Sequence, residues 1–171
     1  QFQQVYEVNT EGGRPALFSS MPMEDISINH TGNTLLYHDK KGYEDPWRKH
    51  HQSSITRDIW LCTLDREHSF QKITSFKGED RNPVWATDGS SFYYLSEEKG
   101  SFNIFKNDLT GRNSRQITNH TMHPVRFLTS DNNGNLCYGY DGEIYTVKEG
   151  TQPKKVDVQI ISDKVENDLI H

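Results

Sequence analysis

Serine, histidine and aspartate are all present in the chain, but their spacing does not predict a nucleophilic catalytic centre. An activated serine needs an oriented base beside its hydroxyl, and the Gly-x-Ser-x-Gly turn that often carries such a serine is missing from this sequence. Ser90 and Ser91 instead follow Asp88 and Gly89 between two apolar runs, which is typical of a tight hairpin turn. We therefore expect no catalytic residue in this chain.

A metal site is also not indicated, although the chain has two clusters of histidines. They are His38 with His50 and His51, and His120 with His123. A zinc ion is usually held by three or four converging ligands, and His120 and His123 lack the intervening glutamate of a helical His-Glu-x-x-His motif. Residues 131–135 (DNNGN) faintly resemble a calcium loop, but Leu136 stands where that loop needs glycine. We expect no metal and no cofactor.

The segment 37–57 combines aromatic and basic side chains in a pattern typical of a binding surface. These side chains are Tyr43 and Trp47 with Lys40, Lys41, Arg48, Lys49, His50 and His51. Amphipathic aromatic residues beside positive charge are common anchors for a peptide or protein partner, so Trp47 and Arg48 are binding candidates. The alternative interpretation is a hairpin that folds back over a neighbouring sheet and leaves its charges in water.

A repeat of about 44 residues shows which elements must position these groups. The Ile-Thr pair at residues 73–74 recurs at 117–118, and residues 58–64 (DIWLCTL) match residues 103–109 (NIFKNDL). Each unit consists of short strand-like runs separated by turns such as Asp-Gly at 88–89. Four strands in about 44 residues is the spacing of a β-propeller blade.

The sequence therefore predicts an all-β protein made of blades of four antiparallel strands. We expect a partial propeller of about three blades plus part of another, because propellers usually have at least four blades. The predicted blades cover residues 1–18 (partial), 23–75, 78–119 and 121–158, and residues 159–171 are expected to connect to a following domain. In the first full blade, segment 37–57 interrupts the path between the second and third strands.

Two arginines near the predicted inner strands are further binding candidates. The repeat places Arg126 where the first two units carry Ile28 and Trp85, and burial of an unpaired charge is costly. Arg126 is therefore expected either to pair with a carboxylate between blades or to point into the central channel, where it could contact a peptide carboxylate. Arg81, just before an inner strand, is a candidate for the mouth of the channel.

The composition agrees with thin aromatic layers between blades and excludes several classes of protein. Hydrophobic residues make up 32% of the 171 residues and aromatic residues 11%, too few apolar groups for a thick helical core. The net charge of -5 argues against nucleic-acid binding. The sequence has no apolar run of 18 residues, so no membrane insertion is expected. Cys62 and Cys137 are too few for a disulfide scaffold and are expected to be buried free thiols.

The repeats resemble those of tricorn-type peptidases and of the envelope protein TolB. The residues that carry this resemblance are 82–89 (NPVWATDG), 92–94 (FYY) and the strand that starts at residue 103 (NIF). Residues 41–60 (KGYEDPWRKHHQSSITRDIW) resemble an insertion in the first propeller of bacterial tricorn-like proteases. Residues 156–160 (VDVQI) look like the connector toward a second propeller.

The resemblance implies a serine peptidase with two propellers, a PDZ-like module and a catalytic core whose serine and histidine lie beyond the propellers. This chain is then expected to be a non-catalytic segment that acts as a peptide channel or gate, or as a docking surface. One alternative is a TolB-like envelope propeller that binds protein partners without peptidase activity. Another is the propeller of a dipeptidyl-peptidase-like hydrolase.

The expected partners are peptides or proteins and the remaining domains of the same polypeptide, and a homo-oligomer is a further option. The bacterial character of the inserted segment favours a periplasmic or otherwise extracytoplasmic location, with the cytoplasm as the alternative. Residues 1–10 lack the basic and apolar regions of a signal peptide.

Overall fold

A computed structural model describes residues 3–43 and 52–159, and every regular element in these ranges is a β-strand. The first half contains β1 (Val5–Glu7), β2 (Ala16–Ser19), β3 (Met23–Ile28), β4 (Thr34–Asp39), β5 (Ile59–Thr63), β6 (Phe70–Lys72) and β7 (Asp80–Trp85). The second half contains β8 (Ser91–Ser96), β9 (Asn103–Asp108), β10 (Arg115–Gln116), β11 (Arg126–Ser130), β12 (Asn135–Tyr140), β13 (Glu143–Lys148) and β14 (Lys154–Lys155).

The strands form one two-stranded ribbon and three four-stranded antiparallel sheets. We call β1–β2 the N-terminal ribbon, β3–β6 blade 1, β7–β10 blade 2 and β11–β14 blade 3; each strand pairs with the next one along the chain. The prediction of blades with four antiparallel strands in a partial propeller is confirmed.

The first strand of each blade lies at the inner edge of the assembly. Strand β7 contacts both β3 and β11, the first strands of the two neighbouring blades, whereas β6, β10 and β14 lie at the opposite edges of their sheets. The side chains that line the axis therefore come from β3, β7 and β11 and from the strands next to them. This is the geometry of neighbouring blades around a central channel.

Apolar layers between adjacent sheets hold the blades together. Blades 2 and 3 enclose a cluster that includes Tyr93, Leu95 and Tyr138, and blades 1 and 2 enclose one that includes Phe92 and Phe105. A third cluster packs the N-terminal ribbon on blade 1. The apolar surface is thus buried in several layers, which is why a chain with few hydrophobic residues can fold.

Each inner strand contains a β-bulge at the same place. The residues just before the bulges are Glu24 in blade 1, Arg81 in blade 2 and Arg126 in blade 3. The next residues have left-handed backbones, namely Asp25 (φ +50°), Asn82 (φ +53°) and Phe127 (φ +56°). A bulge bends the strand and redirects side chains, and here it brings three charged residues to one end of the channel.

The sequence alignment of Arg126 with Ile28 and Trp85 is wrong by four residues. In the pairing registers, Ser130 occupies the position of Ile28 and Trp85, and Arg126 occupies the position of Arg81. A Pro-Val dipeptide shared by two repeats causes the error, because it straddles the bulge in blade 2 and precedes it in blade 3. Trp85 lies between blades 1 and 2, and its indole N–H donates to the carbonyl of Ser27 at 2.8 Å.

The predicted interruption of blade 1 lies between β4, which ends at Asp39, and β5, which begins at Ile59. The binding candidates Trp47 and Arg48 lie outside the described residues, as does all of the predicted connector except Gln159. In ranges 3–43 and 52–159, no helix is long and apolar enough to cross a membrane.

Candidate functional site: the central cavity

The three bulges surround a cavity of about 640 Å³, which we call the central cavity. It is lined by Gln3, Gln4, Met23, Glu24, Asp25, His38, Arg57, Arg81, Asn82, Leu95, Arg126 and Phe127. Acidic groups come from blade 1, and two of the three arginines come from blades 2 and 3. The volume is in the usual range for a site that binds a small molecule or a short peptide.

A buried histidine organises the acidic side of the cavity. The backbone N–H of Asn82 donates to His38 Nδ1 at 3.2 Å, so this nitrogen is an acceptor. The proton of the neutral ring is then on Nε2, which lies 3.3 Å from Glu24 Oε2 and donates to it. His38 therefore connects blade 1 to the bulge of blade 2.

The carboxylate of Glu24 is held in its charged form. Its other oxygen, Oε1, accepts a hydrogen bond from Lys40 Nζ at 2.6 Å. The hydrogen bond from His38, followed by that from Lys40, lowers the pKa of Glu24 to about 2 against the opposing effect of burial. Glu24 is fully engaged by these partners.

Asn82 joins all three blades at the cavity. Besides its backbone bond to His38 in blade 1, its side-chain Nδ2 donates to the carbonyl of Leu128 at 3.1 Å. Its Oδ1 accepts from the N–H of the same Leu128 at 2.8 Å. Asparagine tolerates the left-handed backbone of the bulge, which aims its amide at blade 3.

The basic side of the cavity contains a guanidinium that lacks an acceptor. Arg81 stacks on Phe102, with Cζ 4.3 Å from the ring centroid, a favourable cation–π contact. Among the described residues, its side chain makes no hydrogen bond and no ion pair within 4 Å. Burial lowers the pKa of Arg81, and the charges of Arg126 and Arg57 act in the same direction.

The other two arginines of the cavity lie in different surroundings. Arg57 pairs with Glu79 and lies 3.7 Å from Glu24 through Nε. Arg126 is half-buried beside Phe127, which is 77% exposed despite its left-handed backbone. The structure thus brings the predicted candidates Arg81 and Arg126 into one cavity, where their charges repel each other and favour an anion.

Glu24, Asp25 and Asn82 were not singled out as site residues by the sequence reasoning, and His38 was considered only as a metal ligand. The signal that could have found Glu24 is its position, because it precedes the bulge of blade 1 just as Arg81 and Arg126 precede theirs. His38 had no such signal, since its contact with the backbone of Asn82 depends on how blade 2 packs against blade 1.

His120, from the second histidine cluster of the sequence, makes structural contacts. His120 stacks on Tyr140 with ring centroids 3.8 Å apart, and its Nε2 lies 2.9 Å from the hydroxyl of Tyr138. Within the described ranges, no three His, Cys, Asp or Glu side chains are placed to hold a metal ion. Cys62 is a buried free thiol as expected, whereas the expectation of burial is wrong for Cys137, a free thiol of intermediate exposure.

Comparison with known proteins places this architecture in a family. Residues 1–153 match the model of the tricorn protease N-terminal beta propeller domain. The chain belongs to this family. A curated tricorn protease homolog of Saccharolobus solfataricus is 25% identical over 170 residues, which is 96% of this chain and 15% of that protein. The chain therefore spans only a small part of this tricorn relative.

Solved structures show the same propeller fold. A crystal structure of the tricorn protease superposes with a TM-score of 0.72 and 19% identity, over 92% of this chain and 15% of that one. A putative TolB from Agrobacterium tumefaciens gives a TM-score of 0.74 and 16% identity, over 90% of this chain and 56% of that one. At these identities the structural likeness concerns the fold alone. The tricorn-type repeat recognised in the sequence is confirmed.

Proposed function

We propose that the central cavity is part of a peptide channel in a tricorn-like serine protease, and that Arg81 and Arg126 bind the carboxylate of a peptide there. The observation that carries this proposal is the Arg81 guanidinium, which lines the cavity without an acceptor among the described residues. A guanidinium presents its N–H donors in a planar fork that matches a carboxylate. Its stacking on Phe102 restricts its orientation and reduces the entropy lost on binding.

The proposed role is passive. The described lining of the central cavity contains no serine, threonine or cysteine, so it offers no hydroxyl or thiol nucleophile beside His38 and Glu24. A bound peptide would be oriented and selected here, while the cleavage chemistry would belong to another part of the polypeptide. The match to the tricorn N-terminal propeller supports this division of labour.

The test is a comparison of the tripeptide Ala-Phe-Ala with its C-terminal amide by isothermal titration calorimetry at low ionic strength. We expect the acid to bind at least about tenfold more tightly, because a charge-assisted hydrogen bond is lost in the amide. Arg126→Ala should remove most of this preference in a chain that still unfolds in one cooperative transition.

Arg112→Gln is the matched control, since Arg112 is exposed and lies away from the central cavity; it should leave the preference unchanged. Equal affinities of acid and amide for the unmodified chain would overturn the proposal. A destabilised Arg126→Ala variant with an unchanged preference would favour the alternative in which Arg126 pairs between blades.

The other expectations from the sequence stay predictions. These are an extracytoplasmic location with the cytoplasm as the alternative, a homo-oligomer, and docking on the remaining domains of the polypeptide. Size-exclusion chromatography with light scattering tests the oligomer, and cell fractionation tests the location. The TolB-like alternative, a propeller that binds protein partners without peptidase activity, would gain support if no peptide binds.

A further inference from the structure

The acidic side of the central cavity contains a carboxylate that has no donor. Asp25 has a side chain that is 51% exposed, and its oxygens accept no hydrogen bond from any described residue. Among the described residues, the basic side chain within 4 Å of its carboxylate is His38, whose Nδ1 lies 3.6 Å from Asp25 Oδ2. Glu24, the adjacent carboxylate, is engaged by His38 and Lys40. Asp25 is therefore the acidic group of the cavity that is available to a ligand.

The contact with His38 does not satisfy Asp25. His38 Nδ1 already accepts the backbone N–H of Asn82, so in the neutral ring it presents a lone pair and no proton to the carboxylate. Two acceptors facing each other are unfavourable, and an N–H donor placed in the cavity would relieve this contact.

The unsatisfied charges on the two sides of the cavity do not neutralise each other. Asp25 and Arg81 line the same cavity, yet they form no ion pair within 4 Å, although each influences the other electrostatically. An acceptor without a donor and a donor without an acceptor among the described residues thus face one open cavity. This arrangement is complementary to a ligand that carries both charges.

We propose that Asp25 binds an alkylammonium group of the same ligand whose carboxylate lies at Arg81 and Arg126. The inference rests on the proposed function, which accounts for the carboxylate of the ligand, and adds a site for its ammonium group. The ligand is then a short dipolar peptide. Its ammonium is either the free α-amine or a lysine side chain, and each residue adds at most about 3.5 Å between the two ends.

Asp25→Asn is a clean test because it removes the charge and keeps the shape. The equivalent residue of blade 2 is already an asparagine, Asn82, with almost the same left-handed φ, so the bulge should tolerate the change. The probes are Ala-Phe-Ala, its N-acetyl derivative, its C-terminal amide, and N-acetyl-Lys-Phe-Ala, which has an ammonium on the side chain alone.

For the unmodified chain we expect N-acetylation to weaken the binding of Ala-Phe-Ala about tenfold, as the loss of a partly exposed charged hydrogen bond predicts. In Asp25→Asn, free and acetylated peptides should bind equally. Recovery of affinity with N-acetyl-Lys-Phe-Ala shows that the site also accepts the ammonium of a lysine side chain, and no recovery restricts it to the α-amine. Both results support an ammonium site at Asp25.

Asp141→Asn is the matched control. Asp141 is also left-handed (φ +52°) and is 63% exposed, but it does not line the central cavity. If Asp141→Asn abolishes the acetylation effect as Asp25→Asn does, a general change in charge explains the data and the inference is wrong.

Two further outcomes separate this inference from the proposed function. No effect of acetylation on the unmodified chain, or an equal effect in Asp25→Asn, overturns the ammonium site. If the unmodified chain binds the acid and the amide equally but still binds the acetylated peptide more weakly, the carboxylate site at Arg81 and Arg126 is overturned. The ammonium site is then still supported.

Discussion

The two interfaces that join the three blades have the same backbone geometry but different side chains at their inner edge. Between blades 1 and 2, the N–H of Asp80 donates to the carbonyl of Arg57 at 3.0 Å. Between blades 2 and 3, the N–H of Val125 donates to the carbonyl of Phe102 at the same distance. One backbone position thus carries a carboxylate at the first interface and an apolar side chain at the second.

This difference places an ionisable group inside the first interface and an apolar one at the same position of the second. Asp80 is 1% exposed, and neither of its oxygens has a hydrogen-bond partner among the described residues. Burial raises the pKa of Asp80 to about 7, and the nearby hydroxyls of Ser96 and Thr74 oppose this rise only in part. Val125 simply adds to the apolar cluster of the second interface.

The second interface also has a polar connection that the first lacks. The side chain of Asn82 makes two hydrogen bonds to the backbone of the buried Leu128. The equivalent residue of blade 1, Asp25, makes no such bond to blade 2, where proline stands at the position of Leu128. The bulge residue of blade 2 therefore adds a side-chain link between blades that the bulge residue of blade 1 does not supply.

The largest effect is expected when this connection is removed. Asn82→Ala leaves two buried backbone groups of Leu128 without partners and places alanine in a left-handed conformation. We expect a loss of about 3 kcal/mol in the free energy of unfolding, measured by urea denaturation. Asn82→Asp, which keeps the acceptor and loses the donor, should be destabilised less. If both variants have the stability of the unmodified chain, the comparison of the interfaces fails.

A smaller effect is expected when the charge is removed from the first interface. Since the folded-state pKa of Asp80 lies above its unfolded value of about 3.8, the contribution to stability is present below pH 4 and is lost as the pH rises toward 7. Asp80→Asn should be more stable at pH 8 by on the order of 2 kcal/mol and should show a flatter pH profile.

Several ionisable groups lie near Asp80 and must be considered in this experiment. Asp58 and Glu98 raise its pKa by charge repulsion, and Tyr94 lies close enough to feel its charge. Urea midpoints from pH 4.5 to 8 give the profile. Asp65→Asn removes an exposed carboxylate and should keep the slope of the unmodified chain. An equal slope in Asp80→Asn would contradict the prediction.

The smallest effect is expected at Glu24, where the sign is opposite. Its folded-state pKa of about 2 lies below the unfolded value of 4.5, so its stabilisation is present above pH 4.5 and is lost as the pH falls toward 2. Glu24→Gln should lower the free energy of unfolding by only about 1 kcal/mol at pH 7, because the partly exposed ion pairs of Glu24 are screened by solvent. Near pH 2 the substitution should have no effect. Circular dichroism during acid titration measures this. A constant difference at all pH values would show that packing and not charge is responsible.

The strand order and the blade architecture were predictable from the sequence because they follow from local patterns. The Asp-Gly turn at residues 88–89 lies between β7 and β8 as predicted, and the Ile-Thr pairs at 73–74 and 117–118 follow the outer strands β6 and β10. Turn chemistry and alternation of apolar residues act over a few residues and are visible in the printed sequence.

The candidate site was only partly predictable. Arg81 was expected at the mouth of the channel, and it lines the central cavity. For Arg126 a position in the channel was one of two expectations. Both expectations were based on the alignment of Arg126 with Ile28 and Trp85, which was wrong. A bulge adds one residue to one strand without a clear sequence signal. An alignment based on a shared motif is therefore shifted when that motif lies at different distances from the bulge in two repeats.

The sequence by itself determined that this is a repeated all-β chain of tricorn type without an evident catalytic centre. Only the tertiary structure decided which charges share the central cavity. His38, Asn82 and Arg126 come from three different blades, and their contacts depend on how the sheets pack about the axis. Side chains brought together by packing over long sequence separations leave no local pattern, and so the set of charges around the central cavity becomes visible only in three dimensions.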